Sequence, residues 1–420
     1  MNSLGTNLSP LRSYDPRKAY AGYTLFAPMG GDTVWMIDML GRFVHAWRMP
    51  YPPGVHGRLL KNGHLLYMGN DPAGPLTEFG GSAGVLLEVD WNGHLVWKYE
   101  DLYLSHDFYR LDNGHTIIIR WEPIPKEFGA KVKGGLPGTE RNGVMWGDVL
   151  REINLAGEVL WEWRCWEHFD FDIEVLSPLV PRDRYGDCNS CFVMPNGNII
   201  VSYPALDLIE IIDKQTGNII WRYGGMGKLS FQHNPTFLEN GNILVFDNGR
   251  FGRDLPAHSS VKEINPATYA IEWEYISSPR VDFYASFISG CQRLPNGNTL
   301  ICDGPSGRFF EVIRTGEIVW EYICPFYYNF SRFGYANMTY RAYRYGPDYP
   351  GLKGTGLDDL NRLYSPDTFL SGPTPRVTVE PVIVTIGEGP TQTASKAESL
   401  SSGDAVLAER LQARLKNLGY

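Results

Sequence analysis

The stretch FQHNPTFLENGNILVFDNGR, residues 231–250, is the pattern from which the rest of the chain is built. It predicts a β-hairpin in which one strand follows His233, the chain turns at 239–242, and a second strand returns through 243–246. The Asn-Gly pair in the turn is a strong short-range hairpin signal. The same phrase recurs at four other places, residues 57–68, 107–119, 190–202 and 290–302. Recurrence at intervals of roughly 50 residues indicates a repeat architecture.

Each of these hairpins is followed by a second one with its own signature. An apolar strand ends in an acidic or amide residue, a short turn usually containing Gly follows, and the next apolar strand contains a tryptophan. Six segments have this form: 34–47, 85–97, 149–161, 208–221, 261–273 and 309–320. We predict that their tryptophans are structural and occupy equivalent places in successive units, namely Trp47, Trp97, Trp161, Trp221, Trp273 and Trp320. Six units of four short strands predict an all-β fold, a six-bladed β-propeller of four-stranded antiparallel blades.

The two ends of the repeated region are each incomplete. Residues 22–28 match 297–303, so the chain begins in the middle of a unit, and 337–345 is a strand-like run without a return strand. We expect these N- and C-terminal strands to pair and close the ring, which removes an exposed edge. The predicted organisation is an N-terminal extension at 1–19, a propeller at 20–350, an extended arm or linker at 351–404 and a short amphipathic helix at 405–420. The arm and helix could contact a neighbouring subunit in a homo-oligomer.

Composition narrows the class of protein. Charged residues are 20% of the chain and the net charge is −9, so we expect a soluble protein with no general attraction for nucleic acid or membranes. The beginning of the chain has no basic region followed by an apolar run, and the expectation is a cytoplasmic protein. Six cysteines are too few for a disulfide scaffold. The Cys188–Cys191 pair has no second half of a zinc site.

Loop lengths distinguish the two faces of the predicted ring. The turns inside the hairpins are short, whereas the connections at 121–147, 164–187, 248–259 and 324–336 are long. Binding loops on a rigid scaffold tend to be the long ones. The functional face is therefore expected where the innermost strands begin, opposite the Asn-Gly turns.

Three histidines stand at the beginnings of three different innermost strands: His56, His106 and His233. On a closed ring all three approach the axis on the same face, so we predict that they share one axial cavity. A separation of more than about 15 Å between His233 and both others would exclude this, because one small substrate could not bridge it. His64, His94 and His115 fall at the short turns and are expected to be solvated.

Other polar residues are expected around the same mouth as substrate-binding groups. They are Asp187, Asn189, Arg250, Arg253, His258, Asn337 and Arg341. Aromatic residues are frequent in the same loops, which fits either a lid core or a pocket for an aromatic substrate.

The segment 232–250 and the recurring unit of apolar-Glu-Ile-Asp-x-x-Gly followed by two apolar residues and Trp resemble the arylsulfotransferase (ASST) family of six-bladed propellers, over most of 20–345. The resemblance implies transfer of a sulfuryl group from an aryl sulfate to a phenol through a sulfated histidine, with an arginine binding the sulfate. It implies catalytic roles for His233 and Arg250, with Arg253 as the alternative arginine. The sulfated histidine of the family would be expected near 287–291, a segment without histidine, and a further family histidine is replaced around Asp187.

Three functions remain open from the sequence. The first is an arylsulfotransferase-like enzyme without a cofactor, acting on small aromatic or anionic substrates, with His233 or His106 as nucleophile, assisted by His56 and Arg250. The second is a metal-dependent lyase or hydrolase whose divalent ion is bound by the three axial histidines. The third is a non-catalytic propeller that binds a partner through its loop face.

Overall fold

The computed structural model of the protein describes residues 9–225, 227–251, 255–358, 380–385 and 391–393. For residues 391–393 it describes the backbone only. The first half of the chain contains β1 (Leu11–Tyr14), β2 (Tyr23–Pro28), β3 (Thr33–Ile37), β4 (Phe43–Arg48), β5 (Pro53–Leu59), β6 (Leu65–Gly69), β7 (Val85–Val89), β8 (Leu95–Glu100), β9 (Leu104–Arg110), β10 (Thr116–Pro123), β11 (Gly134–Leu136), β12 (Trp146–Ile153), β13 (Val159–Arg164), β14 (Leu176–Pro181), β15 (Arg184–Tyr185) and β16 (Ser190–Val193). The second half contains β17 (Ile199–Tyr203), β18 (Leu208–Ile212), β19 (Ile219–Gly224), β20 (His233–Phe237), β21 (Ile243–Asp247), β22 (Ser260–Ile264), β23 (Ile271–Tyr275), β24 (Gly290–Arg293), β25 (Thr299–Asp303), β26 (Arg308–Val312), β27 (Ile318–Ile323), β28 (Tyr328–Phe330), β29 (Gly334–Ala336), β30 (Thr339–Tyr345), β31 (Val382–Ile383) and β32 (Thr391–Thr393). The helices are single turns: α1 (Lys126–Gly129), α2 (Cys165–His168) and 3-10 turns at Pro204–Leu206, Arg280–Asp282 and Pro350–Leu352.

The strands form six antiparallel blades, so the predicted all-β, six-bladed propeller is confirmed. From the innermost strand outward the blades are β30-β2-β3-β4, β5-β6-β7-β8, β9-β10-β12-β13, β16-β17-β18-β19, β20-β21-β22-β23 and β24-β25-β26-β27. Each innermost strand contacts the innermost strands of the blades on either side. The beginnings of these six strands therefore surround one axis.

The first blade combines strands from both ends of the repeated region. Strand β30 pairs antiparallel with β2, with Tyr23 opposite Tyr345 and Phe26 opposite Ala342. Three further strands extend blades at their outer edges: β1 pairs with β27, β31 with β4 and β32 with β8. The sequence did not indicate that the N-terminal extension would add an outer strand. The helix predicted at 405–420 lies outside the described residues.

The Asn-Gly turns explain why the inner hairpins form where they do. The five turn glycines have φ angles between 85° and 88°, a region that residues with a Cβ rarely adopt. These glycines are Gly63, Gly114, Gly197, Gly241 and Gly297. The preceding asparagine accepts a hydrogen bond through Oδ1 from the amide two residues later, as Asn240 does from Asn242. The turn is thus fixed by local chemistry before any blade packs against another.

The hydrophobic core lies between neighbouring blades. For example, Ile209 and Trp221 of the fourth blade pack with Val245 and Ile264 of the fifth. All six cysteines are buried and free. No helix among the described residues has the length and apolar content needed to span a membrane.

One tryptophan per blade links that blade to the next. Its indole N–H donates to a backbone carbonyl in the outer turn of the next blade, which is the turn between that blade's two outermost strands. The donor and acceptor pairs are Trp47 to Asp90, Trp97 to Leu155, Trp163 to Gly217, Trp221 to Pro266, Trp273 to Arg314 and Trp320 to Met39. Trp161, the predicted tryptophan of the third blade, has the expected strand position, opposite Glu152 as Trp97 is opposite Glu88, but the indole that links this blade to the next is that of Trp163. Trp161 is half-buried beside Lys214, and Trp163, two residues further along the same strand, is buried and donates the bond.

The register of these tryptophans also differs between blades. Trp97 pairs with Glu88 on the neighbouring strand, close to the outer turn. Trp47 pairs with Val34, further from the turn, and His45 takes the place that a tryptophan has in the second blade. The six linking tryptophans thus make the same contact from two different strand positions. Trp47 and Trp163 share the position further from the turn, so among the predicted tryptophans the equivalence of place is wrong for Trp47.

Candidate functional site

Strained backbone marks the beginnings of four innermost strands. His106, Asp187, Phe231 and Ile288 have φ angles of 51°, 59°, 59° and 48°. Non-glycine residues in this region cost free energy and persist only where the surrounding structure holds them, which happens most often at functional sites. All four lie on the face opposite the Asn-Gly turns, so the strain is concentrated at one axial mouth.

His233 is held by its Nδ1 atom. The distance from Nδ1 to Asn248 Oδ1 is 2.7 Å, and that to the Phe231 carbonyl oxygen is 3.1 Å. Asn248 donates from Nδ2 to the carbonyls of Ala285 and Ile288, at 2.6 and 2.9 Å, so its Oδ1 must face His233. Both neighbours of Nδ1 are therefore acceptors, and Nδ1 is the nitrogen that has the proton.

The environment of His233 keeps the ring neutral. Burial lowers its pKa to about 3, and Arg341 and His106 act in the same direction, against the hydrogen bond to Asn248. A neutral imidazole with its proton on Nδ1 has an unprotonated lone pair on Nε2. Nε2 forms no hydrogen bond to the described residues.

Arg250 is separated from His233 by the ring of Phe231. Its guanidinium is 4.4 Å from the ring centroid of Phe231 and 5.1 Å from that of Phe251, and Phe231 lies 6.0 Å from the His233 ring. Within the part of the chain that the structure describes, Arg250 forms no ion pair. Burial and the nearby Arg332 lower its pKa. A partly buried arginine without a carboxylate partner is suited to bind an anion.

Asp187 is the buried carboxylate of this mouth. Arg184 donates to its Oδ1 at 2.7 Å, and Nε2 of His106 lies 3.9 Å from the same oxygen. Burial raises the pKa of Asp187, although Arg184 and Arg250 oppose the shift. His106 packs edge-on against Trp121 and is covered by Gly81, and burial lowers the pKa of His106 to about 3. Asp187 and the neutral imidazole of His106 thus lie side by side at the mouth, with Arg184 bonded to the aspartate.

His56 lies in a different environment. It is fully buried between Phe108 and Tyr340, with Nε2 2.9 Å from Asp107 Oδ1. Arg341 donates from one amino group to Asp107 at 2.8 Å and from the other to the Asn189 carbonyl at 2.8 Å. The pKa of Asp107 is lowered by Arg341 and Arg58 despite its burial, and burial lowers that of His56 to about 4.

This network connects four blades across the axis. The groups of the network bond to one another. Three of its buried atoms have no partner among the described residues: Nδ1 of His56, Oδ1 of Asn189 and Nε of Arg341. We interpret His56, Arg341 and Asn189 as the floor of the site.

The remaining sequence candidates lie elsewhere. Asn337 is buried and donates to the Cys324 carbonyl. His258 lies off the axis, with Nδ1 3.0 Å from the Pro256 carbonyl, in a groove of about 930 Å³ between the fourth and fifth blades. Arg253 lies outside the described residues. His64 and His115 are on the opposite face, where each contacts a glutamate of its blade.

The structure brings His56, His106 and His233 near the axis but not around one point. His56 and His233 both contact the ring of Tyr340, with centroid separations of 5.9 and 6.4 Å, which keeps them closer than the limit of about 15 Å. Among the described residues, no three His, Cys, Asp or Glu side chains are grouped to hold a metal ion. In the described part of the chain, the three imidazoles are therefore not grouped as the ligand set that the metal hypothesis requires.

Sequence reasoning missed Asn248 and Asp107, whereas Arg184 and Arg332 were among the cationic residues expected around the mouth. Asn248 is in the opening pattern itself, but nothing in one sequence shows that its amide meets His233. Asp107 directly follows His106 and could have been noticed as an acid inside an apolar strand.

The family model for arylsulfotransferase (ASST) matches residues 59–324, more than half of the chain. The chain belongs to the arylsulfotransferase family. The matched region includes His106, Asp187, His233 and Arg250, and excludes Arg341. No curated protein is significantly similar in sequence to this arylsulfotransferase-family chain.

Several solved structures resemble this family member in fold. A protein of unknown function from Bacteroides caccae is 14% identical, with 77% of this chain and 98% of that chain covered and a TM-score of 0.49. A streptogramin B lyase is 11% identical, with coverage of 74% and 86% and a TM-score of 0.42. A catalytically inactive virginiamycin B lyase from Staphylococcus aureus with quinupristin is 10% identical, with coverage of 74% and 88% and a TM-score of 0.41. Likenesses this remote carry no functional argument.

Proposed function

We propose that this chain is an arylsulfotransferase-like enzyme that transfers a sulfuryl group between aryl or phenolic compounds, with Nε2 of His233 as the nucleophile. The observation that carries the proposal is the pair of acceptors at Nδ1, which fixes the reactive tautomer. The family membership supplies the reaction class. The nucleophile thus comes from the fifth blade, which compensates for the absence of histidine at 287–291 in the sixth.

The reaction has two half-reactions. In the first, the Nε2 lone pair forms a bond to the sulfur of an aryl sulfate, and the bond between sulfur and the aryl oxygen breaks with its electron pair leaving on the phenolate. In the second, the oxygen of an acceptor phenol attacks the same sulfur, the nitrogen–sulfur bond breaks, and its electron pair returns to Nε2. No cofactor is required, because the sulfuryl group is only transferred.

Two charged groups complete this chemistry. Arg250 neutralises the sulfuryl oxygens, where the transition state has its negative charge. Asp187, whose pKa burial raises, protonates the leaving phenolate and takes a proton from the acceptor phenol in the second half-reaction. The proton count therefore closes over one turnover.

Release of nitrophenolate from 4-nitrophenyl sulfate in the presence of phenol tests the proposal. We expect acceptor-dependent release by the wild-type chain and a loss of at least about 10³-fold in His233→Ala, since the covalent route is removed. The melting temperature should change little. His115→Ala, on the opposite face, is the control and should keep full activity. Full activity in His233→Ala, or no release with any aryl sulfate, would contradict the proposal.

A further inference from the structure

A hairpin stands over the axial mouth. Strands β28 and β29 form it within the connection from the sixth blade to the first. At its base, Tyr328 packs directly against Gly30 of the first blade. Near its tip, Phe333 stacks on Phe287 with centroids 5.0 Å apart and planes 14° apart. Phe287 precedes the innermost strand of the sixth blade, so the hairpin spans part of the opening.

The hairpin presents aromatic surface that the protein does not bury. Phe333 is 48% exposed and Tyr335 is 75% exposed, although both belong to ring stacks. Tyr284, in the connection before the sixth blade, is 41% exposed. Exposed aromatic side chains grouped at the opening of a pocket are suited to contact a flat ligand ring.

The tip of the hairpin also adds a positive charge to the mouth. Arg332 lies 5.6 Å from the Phe333 ring centroid and forms no ion pair with any described residue. It is the neighbouring charge that most lowers the pKa of Arg250, so the two guanidinium groups belong to the same mouth. Asp187 acts on the pKa of Arg250 in the opposite direction, and Arg184 already donates a hydrogen bond to Asp187.

Charge balance then defines what the mouth accepts. Arg184 is bonded to Asp187 and lies near Asp183, whereas Arg250 and Arg332 form no ion pair with any described residue, in a protein of net charge −9. An aryl sulfate has one negative charge and can neutralise only one of them. Repulsion between two partly desolvated cations is relieved by a second anionic group on the ligand.

We propose that Arg332 is a specificity-determining residue that binds a second anionic group on the substrate ring, so that the preferred acceptors are phenols with a carboxylate. This inference rests on the proposed function for the identity of the reaction, but the binding preference stands on the mouth alone. The ring lies between the hairpin aromatics and Phe231, and the phenol oxygen points toward His233.

Two matched acceptors test this, 4-hydroxybenzoate and its neutral methyl ester, with 4-nitrophenyl sulfate as the constant donor. In the wild type, we expect kcat/KM to be about tenfold higher for the acid, a ratio that decreases with added salt. In Arg332→Ala the ratio should fall to near one, with Arg332→Lys between the two. Arg314→Ala, which changes an arginine on the opposite face, should leave the ratio unchanged. No preference for the acid, or an equal loss for both acceptors in Arg332→Ala, would overturn the proposal.

Equilibrium binding of the same two compounds without a donor separates this inference from the proposed function. Quenching of tryptophan fluorescence measures both dissociation constants. Tighter binding of the acid that Arg332→Ala abolishes would support the subsite even if no sulfuryl transfer occurs. Equal binding of acid and ester by the wild type would overturn the subsite even if transfer occurs.

Discussion

At the level of single residues, the chemistry depends on which nitrogen of His233 has the proton. Asn248 decides this, because its amide is fixed by two backbone carbonyls and presents only an acceptor to Nδ1. Asn248 is a positioning residue, since it acts through His233 and does not meet the reacting atoms.

In Asn248→Ala, the tautomer of His233 should no longer be fixed. Without the acceptor, the proton can move to Nε2, and we expect kcat to fall by about 10²-fold or more, by analogy with the loss of the partner that orients a catalytic imidazole. Long-range ¹H–¹⁵N spectra of ¹⁵N-histidine-labelled protein report the tautomer directly. His233 should show a protonated Nδ1 in the wild type and a mixture in the variant. An unchanged tautomer with lost activity would assign Asn248 a structural role only.

A second histidine makes a prediction about stability. His45 is stacked on Trp91 with ring centroids 4.0 Å apart, and burial lowers its pKa to about 4. Between the ordinary histidine pKa of about 6.5 and pH 4, the unfolded chain binds a proton at this residue that the folded protein does not, so stability decreases as the pH falls through this window.

His45→Phe removes the group that binds this proton in the unfolded chain. As the pH is lowered from 6 to 5, the free energy of unfolding of the variant should therefore rise relative to that of the wild type, by about 1.4 kcal/mol per pH unit. Urea titrations at several pH values measure this. A difference that does not depend on pH would show that His45 is protonated in the folded state.

At the level of elements, the inner hairpins are specified locally and the outer ones are not. Asn-Gly turns could be located from sequence, because the positive φ of a turn glycine is a property of the residue itself. The linking tryptophan of the third blade could not be assigned from the sequence. Trp161 and Trp163 lie two residues apart on the same face of one strand, and only packing against the next blade selects Trp163. Likewise His233 was visible as a strand start, whereas the positions of Asn248 and Arg332 depend on loops that meet in space.

Substituting two glycines that have open space around them measures the cost of backbone strain without any steric clash. Gly241 has a φ of 86°, whereas Gly129, at the end of α1, has no positive φ, and a Cβ would meet no atom within 4 Å at either position. Gly241→Ala should cost about 1–2 kcal/mol, because alanine disfavours the left-handed region. Gly129→Ala should be neutral or stabilising by up to about 1 kcal/mol. Equal effects in chemical denaturation would mean that the turn tolerates a different backbone.

At the level of the whole molecule, the blades are joined by a ring of indole hydrogen bonds. The last of them runs from Trp320 to Met39 in the first blade, at 2.9 Å. Inside this ring, the Asp107–Arg341 pair and His56 connect inner strands across the axis. Contacts between blades thus hold the loops that form the mouth in fixed positions.

Trp163 and Trp161 give a matched test of these links. Trp163→Phe should destabilise the protein by about 1–3 kcal/mol, because it leaves the Gly217 carbonyl without this donor and opens a small cavity beside a buried ring. Trp161→Phe should change the stability by less than about 0.5 kcal/mol, since its ring is half-buried. The midpoints of guanidinium denaturation compare the two. A larger effect at Trp161 would contradict the assignment of the linking tryptophan.

The most direct test of the account is to locate the sulfuryl group on the protein. The wild-type chain is mixed with an aryl sulfate in the absence of acceptor, quenched at high pH, digested and analysed by mass spectrometry. We predict one sulfuryl group on the peptide that contains His233, lost when phenol is added and absent from His233→Ala. A sulfuryl group on another residue, such as His106, or turnover without any adduct, would contradict the assignment of His233 as the nucleophile.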